Sequence, residues 1–191
     1  MNNLSIEELK AIIEIGDFEA LANRIENEFF ECKRGIYLLE EDSGKRELAK
    51  DVTSFANLNG GYILIGPQTE RNEKHLGDEI QSISYLQKGQ INFKQYYDVI
   101  QDWVYPDIHG LNIYWQVSKS DKEKGLFVIN IPEQGQELKP FLIKKALDGK
   151  KKIEVIFGYV ERKRDNSNPK DITSIHSLLR DGINYSRNID G

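Results

Sequence analysis

The stretch Phe55-Ala56-Asn57-Leu58-Asn59-Gly60-Gly61-Tyr62-Ile63-Leu64-Ile65-Gly66 closes one element and opens another. Leu48, Val52, Phe55 and Ala56 recur at helical spacing, which predicts a helix over about 44–58 stopped by Asn59-Gly60-Gly61. Tyr62 to Ile65 then reads as a buried strand. The two glycines ahead of it predict a turn at positive φ, or the close approach of another backbone or a ligand. Upstream, Glu31-Cys32-Lys33 belongs to a strand expected over about 28–33. Alternation sends Phe29, Glu31 and Lys33 to one face and Phe30 and Cys32 to the other. An acid and a base therefore stand side by side on that strand.

Working outward, Ser5 followed by Glu8 is a capping-box pattern for an amphipathic helix ending near Ile15. Asp17 is placed to cap a second short helix ending near Ile25, the two helices forming a cap or arm. Residues 66–92 read as a charged loop, and Phe93 to Val104 as a helix ended by Pro106. Leu111 to Val117 and Leu126 to Ile131 are expected to pair as a hairpin across the Ser120 to Gly125 turn. Ile153 to Val160 is a further strand, and Asp171 or Thr173 caps a last helix ending near Leu179. The class this predicts is α+β, a mixed, mainly antiparallel β-sheet flanked by helices. Residues 1–25 form a short N-terminal helical extension and 26–191 one domain.

The composition suits a globular chain: 191 residues, 39% hydrophobic and 30% charged. No apolar run approaches the roughly 20 residues of a membrane span. The N-terminus shows neither a basic nor an apolar signal region, and Cys32 is the one cysteine. Together these predict a cytoplasmic protein without a membrane partner. The net charge of −5 argues against a generally basic nucleic-acid binder, but the charge is unevenly spread. Residues 1–31 hold two basic and eight acidic residues, whereas 139–164 hold nine basic and three acidic. Lys144, Lys145, Lys150, Lys151, Lys152, Arg162, Lys163 and Arg164 would make a basic strip if the segments around them form a hairpin.

Four blocks, in this order, resemble the Schlafen-type AlbA-like nucleic-acid-binding domain family. Glu26, Glu31 and Lys33 match its acid placed five residues before a Glu-x-Lys strand, with Cys32 where the family commonly has Phe. Phe55 through Gly66 matches its Phe-Ala-Asn-x-x-Gly-Gly block. Val128-Ile129-Asn130-Ile131-Pro132 with Pro140-Phe141 resembles its late strand and Pro-aromatic pair, and Tyr159 through Pro169 its Tyr-x-Arg strand and turn. The resemblance implies nucleic acid, DNA or RNA, as partner, in regulatory or defence-associated settings. In its nuclease branch a further acid follows the Gly-Gly strand. Here Pro67-Gln68-Thr69 occupies that region and the nearest acid is Glu70. Paired copies of the domain in that branch imply a homodimer for a single-copy chain.

Three functions follow from these residue types. In the first, Lys33 and Arg34 contact backbone phosphates, Glu26 and Glu31 orient them, and the basic strip extends the track. Tyr37, Tyr62 and Tyr159 are candidate stacking faces for unpaired bases. In the second, Glu26 and Glu31 hold Mg²⁺ or Mn²⁺ and Lys33 assists as the catalytic cation of a metal-dependent endoribonuclease acting on tRNA-like RNA. In the third, the acidic N-terminal helices dock a partner protein. His75, His109 and His176 lack ligand-like spacing, which argues against zinc.

Overall fold

The computed structural model describes residues 4–73, 77–144, 148–149, 152–153, 160–163, 166–169, 174–175, 177–179 and 181–182. Helix α1 spans Ile6–Ile15 and carries both bonds of the capping box: Glu8 N donates to Ser5 Oγ at 3.2 Å and Ser5 N to Glu8 Oε2 at 2.8 Å. The short helix expected after Asp17 is not an α-helix. Phe18–Leu21 forms a single 3-10 turn, and Asp17 makes no capping bond. So short a segment does not sustain a helix by itself, and it is fixed instead by burial of Phe18 and Leu21.

The chain continues through β1 (Phe30–Lys33), α2 (Asp42–Ala56), β2 (Gly61–Ile65), β3 (Pro67–Asn72) and β4 (Gly77–Ile83). Next come α3 (Phe93–Trp103), β5 (Val104–Tyr105), β6 (Asn112–Val117), β7 (Gly125–Ile131) and β8 (Leu142–Ile143). The last described strands are β9 (Asp148–Gly149), β10 (Lys152–Ile153), β11 (Val160–Lys163) and β12 (Asn166–Pro169). Residues 174–175, 177–179 and 181–182 are helical, within or just beyond the predicted last helix.

The central sheet has the order β1-β2-β7-β6. β1 runs parallel to β2, and the other pairings are antiparallel, so the sheet is mixed and mainly antiparallel. The expected hairpin is β6–β7. Two expectations change. Residues 66–92 are not simply a loop, because β3 and β4 pair as a hairpin. Among the described residues of the basic run, the pairings are three separate ones and not a single hairpin: β8 with β5, β9 with β10, and β11 with β12. Residues 154–159, the middle of the predicted strand, lie outside the described residues.

Alternation divides the sheet between two cores. Ile63, Ile65, Phe127, Ile129 and Ile131 face α2 and α3, packing with Leu48, Val52, Phe55, Tyr96 and Trp103. Phe30, Cys32, Leu64, Leu126 and Val128 face the N-terminal segment, packing with Leu9, Ile13, Phe18 and Leu21. Residues 4–25 thus supply the wall of the second core. Among the described residues no helix is long and apolar enough to cross a membrane.

The Gly-Gly block fits its turn for steric reasons. Gly60 takes φ 76°, and a Cβ there would collide with the Ile131 carbonyl. A Cβ on Gly61 would meet the Phe55 ring and lie 2.7 Å from Phe29 O. The glycines therefore admit backbone and core side chains. Just before them, Asn57 works as a spliced-in peptide group: its Nδ2 donates to Phe141 O at 2.9 Å and its Oδ1 accepts from Phe141 N at 2.6 Å. This ties the Pro140-Phe141 block to the end of α2.

Leu9 is fully buried in the second core. Leu9→Ala should lower unfolding stability by about 2–5 kcal/mol. Exposed Glu7→Ala should change it little, and chemical denaturation of the two variants checks the contrast.

Candidate nucleic-acid interface and its buried ion cluster

Strand β1 presents Phe30 and Cys32 to the apolar second core, while Glu31 and Lys33 point toward α2. Two charged side chains on a half-buried face need partners, because burial without compensation is costly. Helix α2 supplies them. Lys33 Nζ lies 2.8 Å from Glu31 Oε1, 2.8 Å from Asp51 Oδ2 and 2.9 Å from Glu47 Oε1. Asp51 has no exposed side-chain surface, and Tyr37 Oη donates to its Oδ2 at 2.8 Å. Its Oδ1 accepts no hydrogen bond, although Lys50 Nζ stands 3.3 Å away.

Arg162 on β11 completes the cluster. It is 2% exposed; its Nη1 donates to Glu31 Oε2, its Nε to Asn27 O at 3.1 Å and its Nη2 to Phe30 O at 3.0 Å. The guanidinium carbon sits 4.6 Å from the Phe55 ring centroid. On the same strand edge, Cys32 N donates to Glu26 Oε1 at 2.9 Å. Glu26 and Arg162 thus serve outward-facing peptide groups of β1 that a neighbouring strand would otherwise take. Glu26 Oε2 and Arg162 Nη2 are 3.9 Å apart.

Protonation follows from this packing. Burial and the Glu31 charge push Glu26 up from 4.5 to about 8, so it is mostly neutral at pH 7. Burial alone would also raise Glu31, but the Arg162 and Lys33 charges outweigh it and hold the carboxyl below its usual range. Burial opposes the Lys33 charge, but Asp51 and Glu31 override it and raise the ammonium above its ordinary value. Burial and Glu31 push Asp51 up, against Lys33 and Lys50. In this arrangement Glu31 and Asp51 are balanced by Lys33 and Arg162.

The structure brings Glu26, Glu31 and Lys33 together, and it adds Asp51, Glu47 and Arg162. Glu70, the acid expected to follow the Gly-Gly strand, is instead exposed on β3 opposite Glu79. Arg162 is not an exposed phosphate contact, because the fold consumes its guanidinium internally. Lys33 is held by three carboxylates. Arg34 is exposed, with one Nη donating to Thr69 O. Lys144 is exposed and closes the end of α3, its Nζ donating to Gln101 O at 2.6 Å. Lys152 and Lys163 lie on β10 and β11, where the backbone alone is described. Lys145, Lys150, Lys151, Arg164, Tyr159, His75 and His176 lie outside the described residues. Tyr37 and Tyr62 are 6% and 8% exposed, so neither ring offers an open stacking face.

The missed member with a sequence signal is Asp51. It falls three residues after Leu48 and four before Phe55, on the apolar stripe of α2, where a carboxylate demands a cation. Nothing comparable marks Arg162, whose partner Glu31 is 131 residues away.

A divalent cation needs ionised oxygens with open lone pairs. Here Glu31 is closed by two cations, Glu26 Oε1 is bonded to the Cys32 N–H, and Asp51 is shared between Lys33 and Tyr37. Among the described residues, no group of three or more His, Cys, Asp or Glu is placed to hold a metal ion. The carboxylates in this arrangement do not fit Mg²⁺ or Mn²⁺.

The model of the Schlafen, AlbA_2 family matches residues 26–171, from Glu26 past Arg162. The chain belongs to this family. The family's match therefore covers the whole ion cluster: β1, α2 and β11. No curated protein matches the chain. Among solved structures it is similar to the solution NMR structure of the N-terminal domain of a RecG-related protein from Nitrosomonas europaea, named for an ATP-dependent DNA helicase. The identity is 22%, the match covers 87% of this chain and 89% of that one, and the TM-score is 0.41.

Two substitutions separate a structural cluster from a metal site. Glu31→Gln leaves Lys33 and Arg162 short of a counter-charge and should cost about 3–5 kcal/mol. Glu26→Gln keeps an acceptor for Cys32 N–H and removes a titrating group. Because the folded state holds a proton on Glu26 that the unfolded chain has released, its contribution falls as pH rises from about 4.5 to about 8. Glu26→Gln should therefore flatten the pH dependence of stability in that window and be neutral or stabilising at pH 8. Denaturation curves across pH check both; a Glu31→Gln variant as stable as the parent would refute the structural role.

Proposed function

We propose that this chain is a nucleic-acid-binding module that contacts the phosphate backbone without cutting it. The observation that carries this reading is the closure of Glu31 by Lys33 and Arg162, which spends the acids of the family motif on holding β1, α2 and β11 together. Family membership supports nucleic acid as the partner in this reading. What the cluster holds in place is the segment leaving β1. Tyr37 and Leu39 are buried, while Arg34, Ile36 and Leu38 alternate outward, Ile36 46% and Leu38 62% exposed.

Tyr37 is anchored at both ends, its Oη on Asp51 and its N on Tyr96 Oη at 3.1 Å. The outward row pairs a guanidinium with two apolar side chains. Arg34 has N–H groups to offer a phosphate beyond the one on Thr69. Ile36 and Leu38 offer apolar surface to unpaired bases. Lys144 and the basic residues of 139–164 extend the track in this reading, whose setting is regulatory or defence-associated.

The test is fluorescence anisotropy with labelled tRNA, single-stranded DNA and duplex DNA in EDTA, at two salt concentrations. Binding should survive chelation and weaken steeply with salt. Arg34→Ala should weaken it and reduce the salt slope by about 1. Salt-insensitive affinity, or no binding to any of the three, would overturn the phosphate track. Cleavage in Mn²⁺, lost in a Glu31→Gln variant of unchanged stability, would overturn the non-cutting reading.

A further inference from the structure

One row of side chains on the α1 side of the central sheet is polar where the core beside it is apolar. Residues paired across strands share a face, so Tyr62 on β2 stands beside Asn130 on β7, and Asn130 beside Asn112 on β6. The next row, Leu64, Val128 and Tyr114, packs into the second core. Asn130 is also the one residue of β7 that is not buried.

Tyr62 and Asn130 open onto a cleft of about 400 Å³, a volume that suits a small ligand. Lys10 of α1 lines one side, and Pro132 and Glu133, on the chain leaving β7, line another. Asn27 Nδ2 donates to Leu4 O at 2.9 Å, which holds the start of α1, and so the wall that carries Lys10, against the sheet.

The polar groups of this cleft are uncommitted. Tyr62 is 8% exposed, yet among the described residues its hydroxyl has no hydrogen-bond partner, and it is not sealed from the cleft. A nearly buried hydroxyl without a partner is costly unless water or a ligand supplies one. Burial and the charge of Glu14, which lies outside the lining, push the phenol above its ordinary value, so it is a neutral donor. The half-buried Asn130 amide has no partner among the described residues either. Lys10 and Glu133 are exposed, and neither pairs with the other or with any other described residue.

These groups define the chemistry of a ligand. An anion would be drawn to Lys10 and repelled by Glu133, and a cation the reverse. A zwitterion satisfies both walls. Its uncharged part then meets the Tyr62 hydroxyl, which donates, and the Asn130 amide, which both donates and accepts. We propose that this cleft binds a free α-amino acid with a neutral polar side chain, its carboxylate toward Lys10, its ammonium toward Glu133 and its side chain on Tyr62 and Asn130. The proposal does not rest on nucleic-acid binding: the cleft lies beside Phe29, at the entry to β1, and Arg34 follows its exit.

Isothermal titration calorimetry of the full chain with L-serine, L-asparagine and L-glutamine tests it. At least one should bind saturably, and the same molecule lacking its α-ammonium or its α-carboxylate should bind at least about tenfold more weakly. Tyr62→Phe, which keeps the ring in the core, Lys10→Ala and Glu133→Gln should each weaken binding about tenfold while circular dichroism stays native. No binding of any of the three at millimolar concentration would overturn the proposal. So would equal affinity for either truncated analogue, or binding that all three variants leave unchanged.

Discussion

The contact on which the rest of this structure depends is the carboxylate of Glu31 held between the Lys33 ammonium and the Arg162 guanidinium. It joins a strand near the start of the chain to one near its end, and through Lys33 it reaches Asp51 on α2. A buried ion cluster of this kind is a weak source of net stability, because desolvation offsets much of the attraction. It is a strong source of specificity. Any register that moved Glu31 to the other face of β1 would put its charge among Leu64, Leu126 and Val128.

The same side chains solve a second problem. β1 is an edge strand, and its outward N–H and C=O groups would otherwise need water or another chain. Glu26 accepts from Cys32 N–H, Arg162 donates to Phe30 O, and no further strand is required. An acid five residues before a Glu-x-Lys strand thus acquires a reason independent of metal: it covers the strand edge. Burial and the neighbouring Glu31 charge then favour its protonated form, against the Cys32 N–H bond and the Arg162 charge, which favour the ionised one.

How far the sequence could be read follows from the range of each interaction. Local signals were sufficient for the capping box at Ser5 and Glu8, the glycine stop after α2, the alternation of β1 and the β6–β7 hairpin. The β3–β4 hairpin was hidden because Gln68, Glu70, Arg71 and Asn72 give it the composition of a loop. Asp17 resembled a helix cap, but the helix it would open lacks the length to form. Arg162 looks like a surface residue in the sequence, because charge is a good guide to exposure until a partner far away in sequence claims it. Asp51 was readable in principle, since a carboxylate on the apolar stripe of a helix asks for a cation, and Lys33 was already in view.

The β1 edge carries this logic into function. Its polar groups are spent inside the chain, and the segment beyond it is anchored through Tyr37, bonded to Asp51 and to Tyr96, while Arg34, Ile36 and Leu38 turn outward. Lys33 and Arg162 are matched by carboxylates, whereas Arg34 bonds the neutral carbonyl of Thr69. Two neighbouring cations of one strand and its exit thus serve different ends: Lys33 is consumed by the cluster that fixes the strand, and the Arg34 charge stays available to a phosphate.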